Sequence, residues 1–203
     1  MKSLMRVATI LPLVAALAAC APTAEQGRAV AVQSAGVPSG ETVPSGSESG
    51  RPAELGLRSR ADNPCALVSA SQLAEFGSFK PSSTKVDESG LGRSVSCSWQ
   101  PASIVAGAHY SVVVYDFQFP YEVAERNLGS EWDNVEKTAV DGYPAITGFN
   151  SYGIVGCSTA VSVADGQIFM SGLLTSVESS PEYANPCDYS RRFASVIIKN
   201  LKG

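Results

Sequence analysis

Cys157-Ser-Thr-Ala-Val-Ser-Val-Ala-Asp165-Gly166-Gln-Ile-Phe-Met-Ser-Gly-Leu-Leu174 decides the fold of this chain. Cys157, Thr159, Val161 and Val163 alternate with the two-residue period of a strand. Asp165-Gly166 is a pair that accepts positive φ in a tight primed turn, and Ile168–Leu174 returns antiparallel. Upstream, Tyr110–Phe119 carries β-branched and aromatic residues on both parities: Tyr110, Val112 and Val114 on one face, Val113, Tyr115, Phe117 and Phe119 on the other. A strand of that kind is covered on both sides and sits centrally in a sheet. Val95–Trp99 reads as a short strand, and Ala145–Val155 as a weakly extended segment.

Helices are marked by their ends. Ser69-Ala70-Ser71-Gln72 is a capping box, with Leu73 and Phe76 on an apolar side and Gly77 as the stop. Pro120 ends the long strand and opens a helix in which Tyr121, Ala124 and Leu128 share a side before Gly129. Asn185-Pro186 starts the last helix, with Asn185 as its cap and Ala194, Ile197 or Ile198, and Leu201 at helical spacing. The expected class is α+β: an antiparallel sheet of about five strands with flanking helices.

The N-terminus has a different character. Lys2 and Arg6 precede about a dozen apolar residues from Val7 to Ala19, the layout of an export signal. That run is shorter than the roughly 18 apolar residues a membrane span needs. Leu17-Ala18-Ala19-Cys20 places a thiol directly after small residues, which makes the cleavage site a lipobox. Residues 1–19 are therefore expected to be a lipoprotein signal peptide, and Cys20 the lipidated residue, its acyl chains holding the protein on a bilayer. Residues 20–62, rich in Gly, Ser, Pro, Ala and Glu, read as a flexible linker. Residues 63–203 read as a single α+β domain. The expected location is the cell membrane, lipid-anchored, on its extracytoplasmic face.

Four cysteines lie in the domain: Cys65, Cys97, Cys157 and Cys187. In an extracytoplasmic compartment an even number fits two disulfides, with three pairings open. Cys65–Cys97 with Cys157–Cys187 is the favoured one, each closing a loop of about 30 residues. A zinc site would need paired C-x-x-C spacing, which is absent, so no metal and no cofactor are expected.

Removal of the signal takes away Lys2 and Arg6 and no acid, moving the formal charge from −4 to −6. Such a chain is poorly suited to nucleic acid, and its only basic pair, Arg191-Arg192, reads as a solvated helix face. His109, the only histidine, opens a Val-rich strand with no serine or carboxylate in a known motif around it. Gly92-Arg93-Ser94-Val95-Ser96 lacks the second glycine of a nucleophile elbow, and Gly90-Leu91-Gly92 is a loop fragment. Glu131 and Asp133 flank Trp132, but adjacent acids after a Gly-Ser turn sit in solvent rather than converging on a cleft. Trp132 is the candidate partner contact. Trp99 is expected to pack on a disulfide, and Tyr143 and Tyr152 are candidate groove residues for which core packing or a turn is the plainer reading.

Asn63-Pro64-Cys65-Ala-Leu-Val68 with its short helix, Cys97-Ser-Trp99, Asp141-Gly-Tyr-Pro-Ala145, Cys157-Ser-Thr-Ala-Val-Ser-Val163, and Asn185-Pro186-Cys187 before a last helix follow one another in that order. The order resembles the actinobacterial lipoproteins grouped as domain of unknown function 3558. The resemblance implies a cell-envelope location and a fold of the Mog1/PsbP type, and it brings no established activity and no catalytic residue. The expectation is a membrane-anchored, non-enzymatic domain binding an unknown envelope protein or wall component. A carrier or sensor of a small apolar molecule is the alternative, and an envelope hydrolase stands behind both.

Overall fold

Seven antiparallel strands, rather than about five, form one sheet: β1 (Ser83–Ser89), β2 (Gly92–Trp99), β3 (His109–Tyr115), β4 (Asp133–Val140), β5 (Tyr143–Phe149), β6 (Val155–Ala164) and β7 (Gln167–Thr175). Their order across the sheet is β1-β2-β3-β7-β6-β5-β4. The computed structural model describes residues 52–89, 92–103, 105–149 and 154–203. These fall in a compact unit running Gly46–Gly203; the other unit, Met1–Ser45, lies outside the described residues. So do the expected signal peptide, Cys20, most of the expected linker, Gly90-Leu91 and Tyr152.

The hairpin read from Cys157 to Leu174 is the β6–β7 pair, with Val161 opposite Phe169; its turn is tight but not the expected primed one, because Gly166 is at positive φ and Asp165 is not. β7 is the middle strand, and β3 lies beside it with Val114 opposite Phe169. β3 ends at Tyr115; Phe117 and Phe119 continue past it and pack beside Tyr115 at 5.7 and 5.6 Å between ring centroids. The two additional strands are the sheet's edges, β1 and β4. Residues 83–88 are exposed throughout, so β1 has no buried face to impose an apolar alternation. β4 carries a bulge between Asp133 and Glu136, with Asn134 at positive φ, which breaks its period.

Helix α1 (Ala70–Leu73) begins with the expected capping box, both of whose hydrogen bonds form. Helix α2 (Tyr121–Glu131) follows Pro120, α3 (Pro181–Ala184) is a single turn, and α4 (Pro186–Lys202) is the long C-terminal helix. Asn185 stands at the cap position of α4 without a side-chain cap bond, a correction to its expected role; its backbone already closes α3. α4 lies across β6 and β7 and buries Phe193, Ala194, Ile197 and Ile198 against Tyr110, Val112, Val161, Phe169 and Leu173. α2 covers part of the opposite sheet face, where Ala124 meets Phe119, Ala160 and Ile168.

The two disulfides are Cys65–Cys97 and Cys157–Cys187, with Cα–Cα distances of 5.1 and 5.0 Å. The first pins the turn Pro64–Leu67 to β2; the second pins the start of α4 to β6. Next to the second, four buried hydroxyls hold α4 in register. Thr147 Oγ1 lies 3.2 Å from Thr159 Oγ1, which lies 3.0 Å from Ser190 Oγ, and Ser171 Oγ donates to the Ser190 carbonyl at 3.0 Å. Their polar atoms satisfy one another, so their burial carries little net cost.

The last part of the expected linker is packed, so the folded unit begins before residue 63. Leu55, Leu57 and Ala61 are buried, and they form a strap along the end of the sheet that carries the Asp141-Gly142 and Asp165-Gly166 turns. The Leu55 N–H donates to the Val163 carbonyl at 3.0 Å, and the Tyr143 hydroxyl donates to the Ala53 carbonyl at 2.6 Å. Farther along, the Arg58 N–H reaches Gln167 Oε1 at 3.1 Å, and Arg93 bridges Asp62 and Asp116 at 3.0 and 3.2 Å. Leucines within a Gly/Ser/Pro-rich composition can order a short segment when main-chain bonds add to their burial.

Candidate functional site

Opposite the strap, the β2–β3 connection at residues 100–108 meets the turn that follows α1. Phe79 pairs with Pro101 in an isolated antiparallel bridge. The Lys80 N–H donates to the Gln100 carbonyl at 2.9 Å, and the Ala102 N–H donates to the Ser78 carbonyl at 2.8 Å. Two hollows flank this segment and share Gly77, Ser78 and Phe79 as a common wall. One, of about 600 Å³, lies between α1 and the edge of the sheet; Cys65, Val68, Leu73, Trp99 and Lys80 line it. The other, of about 260 Å³, is enclosed by Phe76, Phe79, Pro101, Ala106 and Ala108. Val105, the neighbour of Ala106 in this connection, is 77% exposed.

The apolar wall is backed by an aromatic cluster. The Tyr110 ring lies 5.2 Å from Phe76, 5.9 Å from Phe79 and 5.0 Å from Phe193, and the Phe193 ring is 5.5 Å from Trp99. Trp99 thus lines the larger hollow together with Cys65 of the first disulfide. Arg192 stacks over Phe76 at 5.2 Å from the ring centroid and pairs with Glu75 at 3.8 Å.

The Tyr110 hydroxyl is the one fully enclosed side-chain polar atom without a hydrogen-bond partner among the described residues. Burial, followed by the charge of Glu182, raises its pKa far above the ordinary phenol range. An enclosed donor with no acceptor costs about 1–3 kcal/mol. Tyr110→Phe is therefore expected to raise the unfolding free energy by about 1 kcal/mol, read as a higher urea midpoint at unchanged slope. A lower midpoint would show that the hydroxyl has a partner in solution.

His109 is half-buried at the start of β3, on the face away from α4 and opposite Leu174. No described hydrogen bond reaches its ring. Burial lowers its pKa below the ordinary histidine value. The unfolded chain then takes up the proton first as pH falls, so stability present above the unfolded pKa of 6.5 declines through it and levels off below the folded pKa. Thermal midpoints between pH 8 and pH 5 should fall less in His109→Gln than in the wild type; equal slopes would remove His109 as their source.

Other sequence candidates fall elsewhere. Trp132, directly after α2, is half-buried and seated against Gly148, where an added Cβ would lie 2.9 Å from the Trp132 Cβ. Tyr143 is buried and tied to the strap, and it lines neither hollow. Asp133 opens β4 at the sheet edge. On the α2 side, Ser98, Ser111, Gly172, Ser158 and Gly148 lie in register across five strands, a row of small side chains. No group of three or more His, Cys, Asp or Glu among the described residues could hold a metal ion.

Residues 15–200 match the family described as protein of unknown function (DUF3558). The chain belongs to that family. No curated protein and no solved structure matches it. In this DUF3558 member, reading from sequence missed the hollows themselves, because Phe79, Pro101 and Ala106 belong to irregular backbone between periodic elements. The one signal was compositional: Pro101–Ala108 is apolar where a strand connection is ordinarily polar.

Proposed function

We propose that this chain is a lipoprotein of the actinobacterial cell envelope. Residues 1–19 serve as a signal peptide, and acylated Cys20 anchors the protein at the extracytoplasmic face of the cell membrane. The domain acts as a non-enzymatic binding module for an envelope protein or wall component. The observation that carries this reading is positional. The strap brings the N-terminal segment onto the sheet end that carries Val163 and Asp165, while the apolar hollows open at the end that carries Pro101 and Ala108. Residues 52–62 therefore leave the hollows at the other end of the sheet uncovered. Two disulfides suit an oxidising compartment. No described helix is long and apolar enough to cross a membrane.

Detergent phase partitioning with labelled palmitate tests the anchor. Wild type is expected in the detergent phase and labelled, Cys20→Ser in the aqueous phase and unlabelled; identical behaviour of the two would end the proposal. The larger hollow favours a second reading, a carrier of a small apolar molecule, since about 600 Å³ falls within the usual range of ligand sites. Native mass spectrometry of protein taken from its host would then show an added mass. A long helix packed across an antiparallel sheet is also what supports extending the proposal to a Mog1/PsbP-type fold.

A further inference from the structure

The bridge between Phe79 and Pro101 has a consequence for its outer side. In an antiparallel pair, the peptide groups of successive residues point alternately toward and away from the partner strand. The Ser78 carbonyl and the Lys80 N–H face inward, bonded to Ala102 and Gln100. The N–H and C=O of Phe79 therefore face outward, and no described main-chain hydrogen bond takes up either. A short unpaired edge thus lies on the same segment as the wall between the two hollows. Main-chain groups flanked by pockets for side chains are the equipment of strand addition, in which the edge supplies affinity and the pockets specificity.

We infer that Ser78–Lys80 receives an extended segment of a partner protein, which pairs with the outward peptide groups of Phe79 and places apolar side chains in the flanking hollows. The partner's chemistry follows from the walls. Phe76, Phe79, Pro101, Ala106 and Ala108 call for an aliphatic or aromatic side chain in the smaller hollow. Successive residues of a strand point to opposite sides, so an apolar residue at the next position would face the larger one. Lys80, exposed on that rim, favours a partner residue of opposite charge. The inference rests on the anchored reading above, which puts the domain among envelope proteins.

The test uses the full chain in its host, with the photo-crosslinker benzoylphenylalanine at position 105, where Val105 is exposed next to Ala106 of the smaller hollow. A second probe at position 165, in the turn beside the strap, is the control. The expected result is one discrete protein adduct from position 105 and none of that mass from position 165. Mass spectrometry should map the adduct to a segment with apolar residues at adjacent positions. Ala106→Trp, which fills the smaller hollow from an exposed position, should lower the yield at least tenfold with an unchanged thermal midpoint. Ala102→Trp, on the same rim, supplies an independent version should the first variant fold poorly. Adducts to phospholipid, to a second copy or to residues 20–51 of the same chain would overturn the inference, as would no adduct or a yield insensitive to both fillings. Detergent partitioning separates the two readings. Aqueous-phase protein that keeps a filling-sensitive adduct overturns the anchor alone; detergent-phase protein whose adduct ignores the fillings overturns the docking edge alone.

Discussion

Phe193→Ala will lower the unfolding free energy by about 3–5 kcal/mol, the usual cost of truncating a fully enclosed aromatic residue. Phe193 is 0% exposed and holds the core of the α4 face together: its ring lies 5.3 Å from Phe76, 5.5 Å from Trp99 and 5.0 Å from Tyr110. Those three come from the turn after α1, from β2 and from β3, so the void left by the ring would border separate elements that cannot all close on it. Partial relaxation leaves the cavity cost in addition to the lost transfer energy. The measurement is a urea titration of wild type and variant, in which the midpoint should fall with little change in slope. Lys199→Ala, exposed on the same helix, should move the midpoint by less than about 0.5 kcal/mol equivalent. If Phe193→Ala behaved like Lys199→Ala, the aromatic cluster would not be the centre of this core.

The second large effect is expected from the double variant Cys157→Ala/Cys187→Ala. The bond closes a sequence separation of 30 residues, which in the chain-entropy model stabilises the fold by about 3–4 kcal/mol. For a domain of this size that corresponds to a fall of about 10 °C in the thermal midpoint. Calorimetry should show it as one cooperative transition moved downward, because the Thr159–Ser190 contact and Ile197 still hold α4 on the sheet. A change of less than about 1 kcal/mol would mean that the unfolded chain gains little freedom when the bond is removed.

The parts of this fold legible in the sequence are those whose residues alternate between a buried face and a less buried one, or that begin with a recognisable turn or cap. Cys157–Leu174 announced its hairpin because β7 alternates buried and less buried positions and Asp165-Gly166 marks a tight turn. The favoured pairing of the four cysteines is the one that forms. β1 escaped because its residues lie in solvent, where nothing selects between apolar and polar. β4 escaped because its bulge shifts the parity between Asp133 and Glu136. Asp141-Gly142 carries the same kind of turn signal as Asp165-Gly166, with Asp141 at φ 50°, yet the weak apolar content of β4 concealed the hairpin it joins. The strap failed for the opposite reason: Leu55 and Leu57 are two apolar residues in a polar composition, and their burial depends on distant partners in β6. The hollows are less legible still, since a concavity is a relation between Phe79 and Pro101 that no local pattern records.

The strap also sets how the domain would respond to a mechanical load. Tension on residue 52 reaches the seven strands only through the strap, whose contacts with the sheet run one after another along the end of the strands: Ala53 with Tyr143, Leu55 with Val163, Arg58 with Gln167. Contacts in series peel singly at low force, whereas strands loaded together resist as a group. An optical trap pulling on residue 52 should therefore record a short, reversible extension of about 35 Å from the ten or so strap residues before the sheet yields. The segment would behave as a slack reserve between the fold and whatever holds its N-terminus, and Cys65–Cys97 marks the first point beyond it where covalent cross-linking stops the unravelling.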